Sequence, residues 1–132
     1  MKSKSNILLL LLLPVFIYSC NTYGKKVKVN DHIDVYIKNS ATEEDAKKLG
    51  NYIDTTWKGN NNQKAFQLWK DSGIYTVKMI VDEKNYKQDT ANINISFMAI
   101  QFLIESQVFK ENKVRLVLTD DSFKDIKTFE SK

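Results

Sequence analysis

Apolar and polar residues alternate with period two in three stretches of the chain. Val27, Val29, Ile33, Val35 and Ile37 alternate with polar residues around Asn30-Asp31, which predicts a β-hairpin with one buried face. A second hairpin is predicted from Lys64 to Lys70 (Phe66, Leu68), the turn Asp71-Ser72-Gly73, and the alternating Tyr75-Val77-Met79-Val81. Val114-Leu116-Leu118, the turn Thr119-Asp120-Asp121-Ser122 and the stretch Phe123 to Phe129 predict a third.

Between the hairpins the period changes. Ala46, Leu49, Ile53 and Trp57 recur at three- and four-residue spacing, so a helix presents one stripe to the core. Thr42 is its expected N-cap, answered by Asp45 in a weaker form of the capping box. Glu43, Glu44 and Asp45 suit the positive end of the helix dipole. Gly50 in mid-helix costs about 1 kcal/mol against alanine, which predicts close packing of the helix on a strand. Lys58-Gly59-Asn60-Asn61-Asn62 reads as the loop that ends it. Asp82 to Asn94 is polar and also reads as a loop. Ser96 is then the expected cap of a second helix, Phe97 to Phe109, with Phe97, Ile100, Leu103, Ile104 and Val108 on a wide apolar face.

The order is hairpin, helix, hairpin, helix, hairpin. It predicts a two-layer α+β sandwich: an antiparallel sheet of about six strands, two helices packed on one face, and water on the other.

The first twenty residues carry a different signal. Lys2 and Lys4 precede eleven uncharged, apolar residues from Ile7 to Ile17. A membrane span needs about 20 such residues, and Pro14 interrupts the run, so the segment reads as a secretory signal peptide. Cys20, the chain's one cysteine, stands directly after it. Ile17-Tyr18-Ser19-Cys20 resembles the lipobox of bacterial lipoproteins, with Tyr18 bulkier than the usual residue at its position. The resemblance implies diacylglyceryl transfer to the Cys20 thiol, cleavage after Ser19 and acylation of the new amine. Residues 1–19 are then a signal peptide, 20–26 the lipidated cysteine and a tether, and 27–132 a single domain. The implied partner is a membrane, held through a lipid anchor on the periplasmic side of the cell envelope, with inner or outer membrane left open. Lys25 and Lys26 in the tether are placed either to touch anionic headgroups or to aid solubility.

The domain also resembles an uncharacterised module of bacterial lipoproteins and envelope proteins. The resemblance rests on the helix start Ala41-Thr42-Glu43-Glu44-Asp45-Ala46-Lys47-Lys48-Leu49-Gly50, the strand Phe66-Gln67-Leu68 and the turn Leu116-Val117-Leu118-Thr119-Asp120-Asp121. It implies a fold and no activity.

Charge narrows the partners. The whole chain has a formal charge of +4. Residues 20–132 hold 18 basic and 16 acidic side chains, so the formal charge without the signal segment is +2. Arg115 is the one arginine, which argues against a nucleic-acid partner. A single cysteine excludes an internal disulfide, and a single histidine excludes a clustered-histidine metal site. No phosphate-binding glycine loop, zinc-ligand spacing or nucleophile elbow is present, so neither a metal nor a cofactor is expected.

What chemistry remains is sparse. His32 sits beside a turn and reads as a surface residue. Asp120 and Asp121 are paired carboxylates of the kind used in acid–base work or calcium binding, but both are also favoured turn residues. Asn94-Ile95-Ser96 has the form of a glycosylation site and reads as part of a helix cap. Tyr36, Trp69, Tyr75 and Tyr86 are aromatics expected outside the core. Of these, Tyr36, Trp69 and Tyr75 form the candidate binding surface, against a competing reading as cross-strand pairs that stabilise the sheet. The leading expectation is a non-enzymatic binding or interaction module with an envelope protein as partner. The alternative is a small enzyme or an immunity-type toxin antagonist that uses Asp120, Asp121 and His32.

Overall fold

The computed structural model describes residues 22–57 and 62–132. The signal peptide, Cys20, Asn21 and positions 58–61 of the expected loop lie outside the described residues. Along the chain run β1 (Lys25–Lys28), β2 (Ile33–Asn39), α1 (Glu43–Thr56), β3 (Lys64–Asp71), β4 (Ile74–Ile80), α2 (Glu83–Gln88), α3 (Thr90–Leu103), β5 (Lys113–Thr119) and β6 (Asp125–Glu130). A π-helical turn, Ile104–Val108, continues α3.

The six strands form one sheet in chain order, β1 to β6. This is the expected α+β architecture, with one difference in pairing. Each hairpin is antiparallel, but β2 pairs with β3, and β4 with β5, in parallel. A tight turn reverses the chain, whereas a helical crossover returns it to the end where the previous strand began. Two crossovers therefore make the sheet mixed rather than antiparallel.

Local chemistry sets the helix positions. The Thr42 hydroxyl accepts from the Asp45 amide, and the Asp45 carboxylate accepts from the Thr42 amide, each at 3.1 Å. That closed capping box starts α1. Ala46, Leu49 and Ile53 are buried against the sheet as the spacing predicts. Gly50 lies over the first hairpin, where a Cβ would come within 2.7 Å of both Val29 methyl groups.

The second helical segment begins earlier than expected. Asp82 caps α2 by accepting from the Asn85 amide at 2.9 Å, and Tyr86 is buried rather than exposed. After a break at Asp89, α3 starts at Thr90. Ser96 lies inside it, and its hydroxyl donates to the Asn92 carbonyl at 3.1 Å instead of capping an end. At the far end Phe109 N–H donates to the Ile104 carbonyl at 3.1 Å, five residues back, and the helix closes in a π turn. The Gln101 amide donates to the Val114 carbonyl at 2.8 Å, while Glu105 accepts from the Val114 amide at 2.8 Å. Both bonds tie this end to β5. The core lies between sheet and helices and includes Ile33, Val35, Leu68, Val77, Leu116 and Leu118 from the strands and Leu49, Ile53 and Ile104 from the helices.

Candidate functional site

The register sorts the expected surface aromatics. Tyr36 lies opposite Gln67, and Lys38 opposite Trp69. Gln67 and Trp69 lie opposite Lys78 and Thr76. Period-two alternation therefore puts Tyr36 and Trp69 together on the face away from the helices. Tyr75 belongs to the other face, in phase with Val77 and Met79. It is 4% exposed, stacked on Phe109 at 3.9 Å between ring centroids, with its hydroxyl donating to Asp45. Tyr75 is core and leaves the candidate surface. Its phase with Val77 and Met79 was the sequence signal for that position.

The face away from the helices is not open to water at its centre. Gly24, at φ +96°, turns the chain off the end of β1 and onto this face. A Cβ there would lie 2.3 Å from the Ile37 carbonyl oxygen, so the turn admits only glycine. Tyr23, which precedes the turn in the chain, lies across the sheet. Its carbonyl accepts from the Gln67 side chain at 2.9 Å. Its ring meets Phe123 edge-on at 5.5 Å and Tyr36 at 6.2 Å. Phe123 comes from the β5–β6 loop with φ +59° and touches Tyr36 as well. Beneath this cover Gln67, Val117 and Thr119 are buried. Residues 23–26, expected as tether, are thus part of the domain: Tyr23 docks on the sheet, and Lys25 and Lys26 open β1.

Beside the cover, Trp69 lies between two lysines. Lys38 Nζ is 4.8 Å and Lys78 Nζ 5.1 Å from the ring centroid, and Lys78 also pairs with Asp125 at 2.7 Å. Trp69 Nε1 is buried and has no hydrogen-bond partner among the described residues. Tyr36 is thus covered by Tyr23 and Phe123, Trp69 is flanked by two lysines, and only part of this face is free.

The helix layer carries an apolar surface that sequence reasoning missed. α3 has no charged side chain in its 14 residues. Ile93, Phe97 and Ile100 pack against the core. Ile95, Met98 and Phe102 point outward and are 67%, 58% and 66% exposed. Their spacing of three and four residues makes one continuous stripe. The signal was present as a second apolar stripe on the same helix. Next to α3, Trp57, Phe66, Met79, Phe97 and Ile100 line an apolar cleft of about 470 Å³.

The expected carboxylate chemistry is mostly absorbed by local structure. Asp120 Oδ1 accepts from the Ser122 and Lys124 amides, both at 2.9 Å, as the turn reading predicts. Asp120 and Asp121 line an open concavity with Asp82 and Glu83, but Asp82 is occupied as a helix cap. The His32 amide donates to Asn30 Oδ1 at 2.8 Å inside the first turn. Among the described residues no cluster of three or more His, Cys, Asp or Glu is placed to hold a metal, and no helix is long and apolar enough to cross a membrane.

Comparison with known proteins returns a family but no individual relative. No curated protein and no solved structure matches the chain. A model of the AF_1994_N family, described as an N-terminal domain family, matches residues 26–131, the sheet and helices described above almost end to end. The chain therefore belongs to the AF_1994_N domain family.

Proposed function

We propose that the chain is a small lipid-anchored binding module of the bacterial cell envelope, held through Cys20 on the periplasmic side of a membrane, and that α3 engages the apolar face of an envelope protein. The observation that carries the binding role is the outward stripe Ile95, Met98 and Phe102. A contiguous exposed apolar stripe on an uncharged helix marks a surface that a partner covers. Anchors at this spacing are those by which one helix seats in the groove of a partner. The cleft beside Phe97 and Ile100 extends the same apolar surface. A binding rather than catalytic role is further supported by Asp120, whose carboxylate is taken up by its own turn. The anchor is supported by the lipobox resemblance at Cys20.

A photo-crosslinking side chain at position 102, expressed in living cells, tests the reading. Position 47, exposed on α1, is the control. The expected result is one envelope protein joined from position 102 and not from 47, lost on Met98→Asp and on Cys20→Ala. The same adducts from both positions, or none, would overturn it.

A further inference from the structure

We infer that the face of the sheet away from the helices, and not the helix layer, is turned toward an anionic lipid surface, with the docked Tyr23 segment setting that orientation. This rests on the anchoring of Cys20 proposed above. Cys20 lies only three residue steps before Tyr23, with Asn21 and Thr22 between them. In any conformation those steps span at most about 10 Å. Tyr23 is fixed on the sheet by the bond from Gln67 of β3, the third of six strands, and by its contacts with Tyr36 and Phe123. An anchor at Cys20 therefore leaves from over the middle of this face, too close for the domain to turn over.

Charge agrees with that placement. Strand phase puts six basic side chains on this face, Lys38, Lys78 and Arg115 among them, against the four acids Asp34, Asp71, Asp125 and Glu130. α1 on the opposite side carries four acids and two lysines. Basic side chains within a Debye length of an anionic leaflet are attracted to it. Trp69 lies on this face between Lys38 and Lys78. Ile95, Met98 and Phe102 then point away from the bilayer, free for a protein.

The test uses the full lipidated chain in vesicles containing phosphatidylglycerol. One cysteine is added either at Thr128, exposed on this face in β6, or at Ser96, exposed on α3. Cys20 is blocked by its lipid, so an environment-sensitive fluorophore reports only the added site. Spin-labelled lipids should quench the Thr128→Cys label several-fold more than the Ser96→Cys label. The Tyr23→Ala variant should stay membrane-bound and lose most of that difference. Equal quenching, or stronger quenching at position 96, would overturn the orientation, and the latter would put the α3 stripe on the bilayer. Sedimentation with the vesicles is scored separately. A chain that does not sediment overturns the anchor, and the orientation falls with it.

Discussion

The Tyr75 hydroxyl donates to Asp45 Oδ1 across 3.1 Å and so joins the middle of the sheet to the first turn of α1. The other carboxylate oxygen of Asp45 is taken by the Thr42 amide. Tyr75→Phe keeps the ring stacked on Phe109 and removes the donor alone. Urea unfolding should show a loss of about 1–2 kcal/mol with an unchanged slope. Asp45→Ala should lose more, because the reciprocal bond from the Thr42 amide goes as well, although the Thr42 hydroxyl still caps the Asp45 amide. Parental stability in Tyr75→Phe would show that the bond contributes nothing.

At Gly50, helix propensity and packing oppose each other. Alanine gains about 1 kcal/mol of propensity in a helix interior. Here its Cβ would press on both methyl groups of Val29 at 2.7 Å, and valine is stiff at χ1. Overpacking of this kind costs about 1–3 kcal/mol, so Gly50→Ala should destabilise. Gly50→Ala with Val29→Ala should recover part of the loss. A thermodynamic cycle of the four proteins measures the coupling, and additive effects would refute the contact.

Two glycines at positive φ should respond differently. Gly73 has open space around its missing Cβ, so Gly73→Ala should cost only the left-handed conformation, about 1–2 kcal/mol. Gly24→Ala adds a collision with the Ile37 backbone. It should cost clearly more, and should expose Gln67 and Val117 by releasing Tyr23. Hydrogen exchange at Tyr36, Gln67 and Val117 amides reports that release; protection equal to the parent's would count against the docked segment.

Lys25 bonds to Glu43 at 2.6 Å and, through that bond and its charge, holds the Glu43 carboxyl below the usual glutamate range. A carboxyl lowered on folding adds stability at pH above its ordinary range and loses it as acid titrates the folded group. The pair is exposed, so the effect on stability should be small. Lys25→Gln should return Glu43 to its ordinary titration, followed by carboxyl carbon shifts. An unmoved titration curve would exclude the pairing.

Much of the fold was legible because several local signals agreed. Thr42 with Asp45, the Ala46-Leu49-Ile53 stripe and Gly50 all pointed to one helix on one hairpin. The start of the second helical segment was not legible. Asn85, Asn92 and Asn94 are weak helix formers; Asp82 and Asp89 hold the first two, and the hydroxyl of the buried Tyr86 donates to Asn94 at 3.0 Å. Alternation reports which face a residue takes and not the direction of its neighbour; the parallel pairing was instead implied by the helix that follows each of the first two hairpins. Two of the expected surface aromatics lie elsewhere, Tyr75 in the core and Tyr36 under a cover. Tyr75 could have been placed by its phase with Val77 and Met79. Nothing in the alternation of β2 or β3 foretold that Tyr23 and Phe123 would cover Tyr36.

The sheet's strands lie side by side in the order in which the chain is made. Every strand therefore finds its neighbour within one turn or one helical crossover of sequence, and no strand waits for a distant segment to complete its pairing. Such contact patterns favour rapid folding. A chain emerging N-terminus first can extend the sheet at one growing edge, each new hairpin covering the edge the last one left exposed.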